Sequence, residues 1–116
     1  MTGPALGVAG NTAAPATFEI TAASPGRFAA RGALNFGNAR RARNEGLQAL
    51  RAANGRDLEI DCGGISHSDS AGLAVLLDWM SIMKREGRPL CFANLPPGLL
   101  AVARISGVEE MLQKGV

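Results

Sequence analysis

Residues 67–77 read HSDSAGLAVLL, and this stretch constrains the fold more than any other part of the chain. Small polar residues lead directly into an apolar run, which predicts a loop followed by a helix that begins near Ser70. Asp69 and Ser70 suit a helix start, because their side-chain oxygens accept hydrogen bonds from the unpaired N–H groups of the first turn. The helix dipole also favours negative charge there, from Asp69 or from a phosphate. Two interpretations are open: a well-capped core helix, and a contact or switch point.

The first half of the chain predicts a tail, a β-hairpin and a helix. Residues 1–16 consist largely of Ala, Gly, Thr and Pro without periodicity, as in a flexible N-terminal tail. Residues 17–21 alternate apolar and polar side chains, which predicts a strand, and a second strand is predicted over 28–34 after a Pro-Gly turn. Residues 38–53 are rich in Ala, Leu and Arg, which predicts a helix.

The second half of the chain alternates strands and helices. Residues 57–62 place Leu58, Ile60 and Cys62 on one face of a strand, and Gly63-Gly64 is expected to end it as a tight turn. The remaining predicted elements are a helix over 70–86, a strand over 90–93, a helix over 99–105 and a short last helix over 108–113. The order β-β-α-β-α-β-α-α indicates parallel crossovers and therefore an α/β fold.

Size and charge limit the class of protein. With 116 residues, 47% of them hydrophobic, the chain predicts a single domain with its own core. A net charge of +2 is too small to indicate nucleic-acid binding, although most arginines lie in the first half. They suit an acidic partner, anionic lipid heads or a solvated helix face. No apolar stretch is long enough to cross a bilayer and no secretory signal begins the sequence, so we expect a cytoplasmic protein without direct membrane insertion.

Residues suited to catalysis are few. His67 is the only histidine, so a histidine cluster for zinc cannot form, and two cysteines without CxxC spacing indicate no metal site or disulfide framework. Ser66, Ser68 and Ser70 lie near His67, but neighbours on one loop rarely achieve triad geometry, and no GxSxG motif is present. No phosphate-binding glycine loop follows a strand, so no nucleotide or other cofactor is expected. The sequence therefore predicts a protein that is not an enzyme.

The predicted helix over 70–86 has a wide apolar face. Its apolar residues cover roughly 220° of the helix, against about 100° for a helix with one side on a core. These residues are Leu73, Val75, Leu76, Leu77, Trp79, Met80, Ile82 and Met83. Either the helix is buried on two sides within the domain, or one edge of the arc, with Trp79, faces another protein. Tryptophan is over-represented among residues that anchor interfaces.

Residues 58–73, LEIDCGGISHSDSAGL, followed by an apolar helix, resemble a STAS domain, the fold of anti-sigma-factor antagonists. The segments LCFANLP at 90–96 and ARISGV at 103–108 fit the same pattern, so that the resemblance covers about residues 17–113. It implies an α/β STAS fold with a mixed four-stranded sheet and helices packed mainly on one face. The domain is expected to span residues 17–116, after the tail.

Within the family, GLAVLLDW at 72–79 and LPPGL at 95–99 resemble the STAS subunits of bacterial ABC transporters that maintain outer-membrane lipid asymmetry by moving phospholipid. Such a subunit is non-enzymatic, needs no cofactor, binds the transporter's ATPase and is linked through it to an inner-membrane permease. The resemblance thus implies a cytoplasmic location that is peripheral to the inner membrane. The antagonists instead bind an anti-sigma kinase and are switched by phosphorylation at the helix start. The predicted partner-binding residues are His67, Ser68, Asp69, Ser70, Leu73 and Trp79.

One position departs from the phosphorylated members of the family. In those antagonists the modified hydroxyl directly precedes the motif glycine, and this position is Ala71 here, which favours constitutive binding. Ser70 lies one position earlier and is the candidate phosphorylation site, where a phosphate beside Asp69 should weaken binding. We expect Ser70 and Asp69 to cap the helix and to hydrogen-bond the ATPase, while part of the apolar arc packs on it. A third possibility, a lipid or small-ligand carrier, draws only on the apolar content.

Overall fold

The computed structural model describes residues 17–115 and contains four strands and four helices in that range. They are β1 (Phe18–Ser24), β2 (Arg27–Leu34), α1 (Ala39–Ala52), β3 (Leu58–Ser68), α2 (Ser70–Arg85), β4 (Leu90–Ala93), α3 (Pro97–Ile105) and α4 (Glu109–Lys114). The order of elements agrees with the prediction. α3 begins earlier than predicted, because proline is well tolerated at the first helical position. The predicted tail, residues 1–16, lies outside the described residues.

The four strands form one mixed sheet in the order β1-β2-β3-β4. β1 and β2 pair antiparallel as a hairpin, whereas β2 with β3 and β3 with β4 pair parallel across the crossover helices α1 and α2. Along the first part of β3, Leu58, Ile60 and Cys62 are buried, while Glu59 and Asp61 lie on the more exposed face. The helices cover one face of the sheet, and the predicted α/β architecture is confirmed.

β3 does not end at Gly63-Gly64, as the sequence predicts, but continues to Ser68. Its register against β2 shifts after Asp61, so that β3 carries an extra residue in a bulge. Glycine is needed in this bulge because a Cβ atom built on Gly64 would lie 2.7 Å from the Cβ of Arg31. The bulge shifts the alternation by one residue and returns Ile65 to the buried face.

Asp61 stabilises the conformation of the bulge. Its Oδ1 atom accepts hydrogen bonds from the Gly63 N–H at 2.8 Å and from the Asn94 side-chain amide at 3.2 Å. These bonds, the one from Gly63 first, hold the pKa of the Asp61 carboxyl below its usual value. The bulge in β3 is thereby connected by a hydrogen bond to Asn94, the residue that follows β4.

α2 lies in the middle of the helical layer. It contacts α1, α3 and α4 as well as β3 and β4, so most of its circumference meets other elements. Its buried residues are Gly72, Leu73, Val75, Leu76, Trp79, Met80 and Met83. The wide apolar arc therefore results from burial within the domain. The expectation that the Trp79 edge faces another protein is wrong, since the Trp79 side chain is fully buried.

Trp79 holds α1 against α2. Its indole N–H donates a hydrogen bond of 2.9 Å to the backbone carbonyl of Arg43, and its ring lies 6.0 Å from the ring of Phe18 in a tilted arrangement. α1 approaches closely because residue 46 is glycine, and a Cβ atom there would overlap the indole ring. The side chain expected at an interface is thus a central packing element of the fold.

Arg88 caps the carboxyl-terminal end of α1. Its guanidinium donates hydrogen bonds to the backbone carbonyls of Leu50 at 3.0 Å, Ala53 at 2.7 Å and Gly55 at 2.7 Å. The last carbonyls of a helix have no partner within the helix, and they carry partial negative charge. A cation from the loop before β4 therefore satisfies the carboxyl end of α1.

Candidate partner-binding site

The junction between β3 and α2 is organised by Asp69. β3 ends at Ser68 and α2 begins at Ser70, with Asp69 as the N-cap residue between them. One carboxylate oxygen accepts from the backbone N–H groups of Ala71 at 2.9 Å and Gly72 at 3.1 Å. The structure therefore assigns the cap to Asp69, and the expectation that the side chain of Ser70 also caps the helix is wrong.

The second carboxylate oxygen of Asp69 reaches a different loop. It accepts a hydrogen bond of 3.1 Å from the backbone N–H of Phe36, which is 33 residues away in sequence. This contact is possible because β2 and β3 are parallel, so that Leu34 and Ser68 pair at the same edge of the sheet. The loops that follow these two strands are thereby joined through one side chain.

The three backbone donors also set the charge state of Asp69. Partial desolvation raises the pKa of its carboxyl, but the hydrogen bonds from the N–H groups of Phe36, Gly72 and Ala71 outweigh this effect. The pKa of Asp69 therefore lies below its usual value, and the carboxylate is charged at neutral pH. A fixed negative charge thus lies at the start of α2, where the helix dipole favours it.

Gly72 allows α2 to begin close to the end of β2. A Cβ atom built on Gly72 would lie 2.6 Å from the carbonyl oxygen of Leu34 and 3.2 Å from the Cβ of Ser68. Any other residue would push the helix away from the strand ends. The motif glycine is therefore a packing requirement of the junction.

The exposed side chains at the junction are those of His67, Asp69 and Ser70, and Ser68 is half-buried. Among the residues that the structure describes, the Ser70 hydroxyl makes no hydrogen bond, so it is accessible to a partner or to a modifying enzyme. His67 Nδ1 lies 3.3 Å from the hydroxyl oxygen of Ser66, its sequence neighbour, and the ring is exposed. These four residues form one continuous surface segment.

The other two predicted partner-binding residues do not join them. The side chain of Leu73 is only 5% exposed and belongs to the core, as does that of Trp79. Both lie on the inner side of α2, where the helix meets its neighbours. Neither side chain is available for a direct contact, and both assignments are corrected.

The structure adds a loop that the sequence did not single out, residues 35–38 between β2 and α1. The Asn38 side chain accepts from the Asn35 N–H at 3.0 Å and donates to the Ala33 carbonyl at 2.8 Å. The Asn35 side chain in turn accepts from the Gly37 N–H at 2.9 Å. This network holds Phe36 with 85% of its surface exposed. The sequence signal for this loop is the pair Asn35 and Asn38, since Asn side chains favour such local turns.

A groove of about 480 Å³ runs from this loop between α1 and α2. Phe36 lies at one end, and the small side chains Ala39, Ala71 and Ala74 line it together with Arg40. The position that precedes the motif glycine, Ala71, therefore opens into a groove rather than into the core. The exposed segment 67–70, the loop 35–38 and this groove together form the candidate site.

The remaining reactive groups lie away from this surface. Burial first, and then the charge of Asp61, raises the pKa of the Cys62 thiol to about 12, and burial also raises the pKa of Cys91. Within residues 17–115, no three His, Cys, Asp or Glu side chains are grouped to hold a metal ion. No helix in this part of the chain has the length and apolar character needed to cross a membrane.

The sheet covered on one face and the N-capped helix after its third strand define the class, and the chain belongs to the STAS domain family. The family model described as "Mlab, STAS domain" matches residues 19–113. STAS domains are generally non-enzymatic binding domains that mediate protein–protein interactions. The resemblance predicted from residues 58–73 is confirmed at the level of the family.

A solved structure shares the fold. The anti-sigma factor antagonist SpoIIAA in its unphosphorylated form superimposes with a TM-score of 0.65 at 18% sequence identity. The alignment covers 81% of this chain and 84% of that one. At this level of identity the similarity establishes the fold. No curated protein sequence matches the chain.

Proposed function

We propose that this chain is a non-catalytic subunit that binds the ATPase of a phospholipid-transporting ABC complex. It supports the assembly and activity of a complex that maintains outer-membrane lipid asymmetry, and it contacts the inner-membrane permease only through the ATPase. The observation that carries the proposal is the match of residues 19–113 to the family model described as Mlab. The location that follows is cytoplasmic and peripheral to the inner membrane.

The β3–α2 junction supports a role in protein binding. Its exposed residues His67, Asp69 and Ser70 extend from a backbone that the Asp69 hydrogen bonds hold in place. A surface that is ordered before binding loses less conformational freedom when a partner arrives. The Ser70 hydroxyl and the Asp69 carboxylate are positioned to hydrogen-bond the ATPase, and the contact is constitutive because Ala71 carries no hydroxyl.

An anti-sigma-factor antagonist is the alternative. The fold similarity to SpoIIAA and the exposed Ser70 hydroxyl favour it. In this case an anti-sigma kinase binds the same junction and transfers the γ-phosphoryl group of ATP to the Ser70 hydroxyl, with release of ADP. The added charge of nearly two units beside Asp69 then weakens the complex.

The test is affinity purification of the tagged full-length chain from its own cells, followed by mass spectrometry. We expect an ABC ATPase together with its permease. Recovery of a histidine-kinase-like anti-sigma factor, with phosphate on Ser70, contradicts the transporter role and supports the alternative. Ser70→Arg should reduce the recovery of the ATPase. Ser81→Arg is the matched control, since Ser81 is also an exposed serine on α2 but lies outside the junction.

A further inference from the structure

Phe36 is exposed in a way that the fold does not require. Its ring is 85% exposed, yet its backbone is fixed by the hydrogen bond to Asp69 and by the Asn35 and Asn38 side chains around it. An aromatic side chain with a fixed backbone loses little freedom on binding and gains a large buried apolar area. Phe36 thus has the properties of an anchor that inserts into a pocket of a partner.

The positive charges next to Phe36 have no acidic side chain paired with them. Arg40 and Arg41 occupy the first turn of α1, where no acidic residue is present and the helix dipole disfavours cations. Across the part of the chain that the structure describes, neither guanidinium forms an ion pair. Arg43, one turn further, is already paired with Asp78 at 2.9 Å. Two unpaired cations therefore flank the exposed ring.

These features lie on one surface. Phe36, Arg40 and Arg41 line a concave surface at the amino end of α1, and Phe36 and Arg40 also line the groove between α1 and α2. That groove is lined by small apolar side chains and three charged ones, of which Arg43 and Asp78 pair with each other, so that Arg40 is its unpaired charge within the described range. The complementary shape is a protein segment with an apolar pocket or ridge bordered by carboxylates.

We infer that Phe36, Arg40 and Arg41 form the anchor for an acidic surface of the protein partner. The partner buries the Phe36 ring, and its carboxylates pair with the two arginines. This inference rests on the proposed function, in which the partner is the transporter ATPase. A membrane surface is a poorer match, because stable attachment through basic residues takes a cluster of about four to eight.

The experiment measures the affinity of the purified full-length chain for the purified ATPase at several salt concentrations. Phe36→Ala should weaken binding about tenfold or more, since it removes a buried aromatic ring. Arg40→Glu/Arg41→Glu should weaken it by at least a similar factor, and the loss of affinity that salt causes in the wild type should disappear or reverse, because like charges then face each other. All three side chains lie on the surface, and circular dichroism checks that the variants remain folded.

Two matched controls separate a specific anchor from general effects. Ile105→Ala removes an apolar side chain that is 87% exposed at the end of α3, outside the groove. Arg56→Glu/Arg85→Glu reverses two exposed arginines that form no ion pair within residues 17–115, and it changes the net charge by the same amount. Both controls should bind within about twofold of the wild type.

Each outcome is decisive. If the wild type binds the ATPase and the Phe36 and arginine variants bind equally well, the anchor is refuted while the proposed function stands. If the wild type does not bind the ATPase, the proposed function and the anchor fail together. The same variants are also tested for binding to vesicles that contain anionic lipid. If they lose binding to these vesicles and not to the ATPase, the surface faces a membrane and the protein anchor is refuted.

Discussion

Asp69 combines a helix cap with a bridge between two loops, and substitutions can separate these roles. Asp69→Ala removes the acceptor of three backbone N–H groups, those of Ala71, Gly72 and Phe36. Loss of the cap costs about 1 kcal/mol and loss of the bond to Phe36 about 1 kcal/mol more, so we expect a total near 2 kcal/mol. Asp69→Asn keeps one side-chain oxygen for the cap but presents an amide donor to Phe36. Its expected cost is therefore about half as large.

The assay is urea unfolding followed by fluorescence of Trp79, the only tryptophan and a fully buried one. With a denaturant slope of about 1–2 kcal/mol/M, Asp69→Ala should lower the midpoint by about 1–2 M. Ser70→Ala is the control and should leave the midpoint unchanged, because its hydroxyl makes no hydrogen bond in the described part of the chain. A midpoint for Asp69→Asn equal to that of the wild type would refute the bridge to Phe36.

The pH dependence of the same comparison tests the charge of Asp69. Its pKa is lowered in the folded state, so the ionised group stabilises the fold above its unfolded value near about pH 4. The stabilisation by ionised Asp69 is lost as the pH falls from about 4 through the pKa of the folded state. The difference between wild type and Asp69→Asn should therefore be full at about pH 7 and shrink below about pH 4. A difference that stays constant down to about pH 3 would contradict charge-assisted bonding.

Three further predictions concern packing and reactivity. Gly72→Ala should destabilise the protein by about 1–3 kcal/mol in urea unfolding, because its Cβ would collide with the backbone of β2. Gly98→Ala, where nothing lies within 4 Å, should be neutral or stabilise by up to about 1 kcal/mol; equal costs at both sites would contradict the close approach. Arg88→Ala should cost about 1–3 kcal/mol and speed hydrogen exchange at the end of α1, and unchanged exchange would argue against the cap. A thiol reagent at about pH 8 should modify Cys91 slowly and Cys62 only after unfolding, since burial disfavours the thiolate of Cys62 and blocks access; rapid modification of both would disprove this.

Local sequence signals were sufficient for the order of the elements and for Asp69, one of the two residues predicted to cap α2. Apolar periodicity and the polar start at Asp69 depend on neighbours within one or two turns, so a single sequence contains them. The bulge in β3 could not be predicted in this way. Gly63-Gly64 has the composition of a turn, and the close approach of Arg31, which explains the glycine at position 64, exists only once β2 and β3 are paired.

The candidate site was predicted in part, for a related reason. The exposed segment 67–70 follows from the motif, but the wide apolar arc of α2 does not distinguish two-sided burial from an interface. That distinction depends on where α1, α3 and α4 pack, and for Trp79 it depends on a glycine at position 46. Phe36 could not be predicted as part of the site from the sequence. Its hydrogen bond to Asp69 joins two residues that only the parallel pairing of β2 and β3 brings together.

The hydrogen bond between Asp69 and Phe36 has a consequence for loop grafting and for divergence among relatives. A graft of the 35–38 loop into another domain of this fold should hold its shape only if an aspartate stands at the corresponding helix start. Changes in the two segments should therefore show epistasis, each tolerated or harmful according to the state of the other. The two loops are best exchanged, inherited and redesigned as one module, although a whole helix and a strand separate them in the chain.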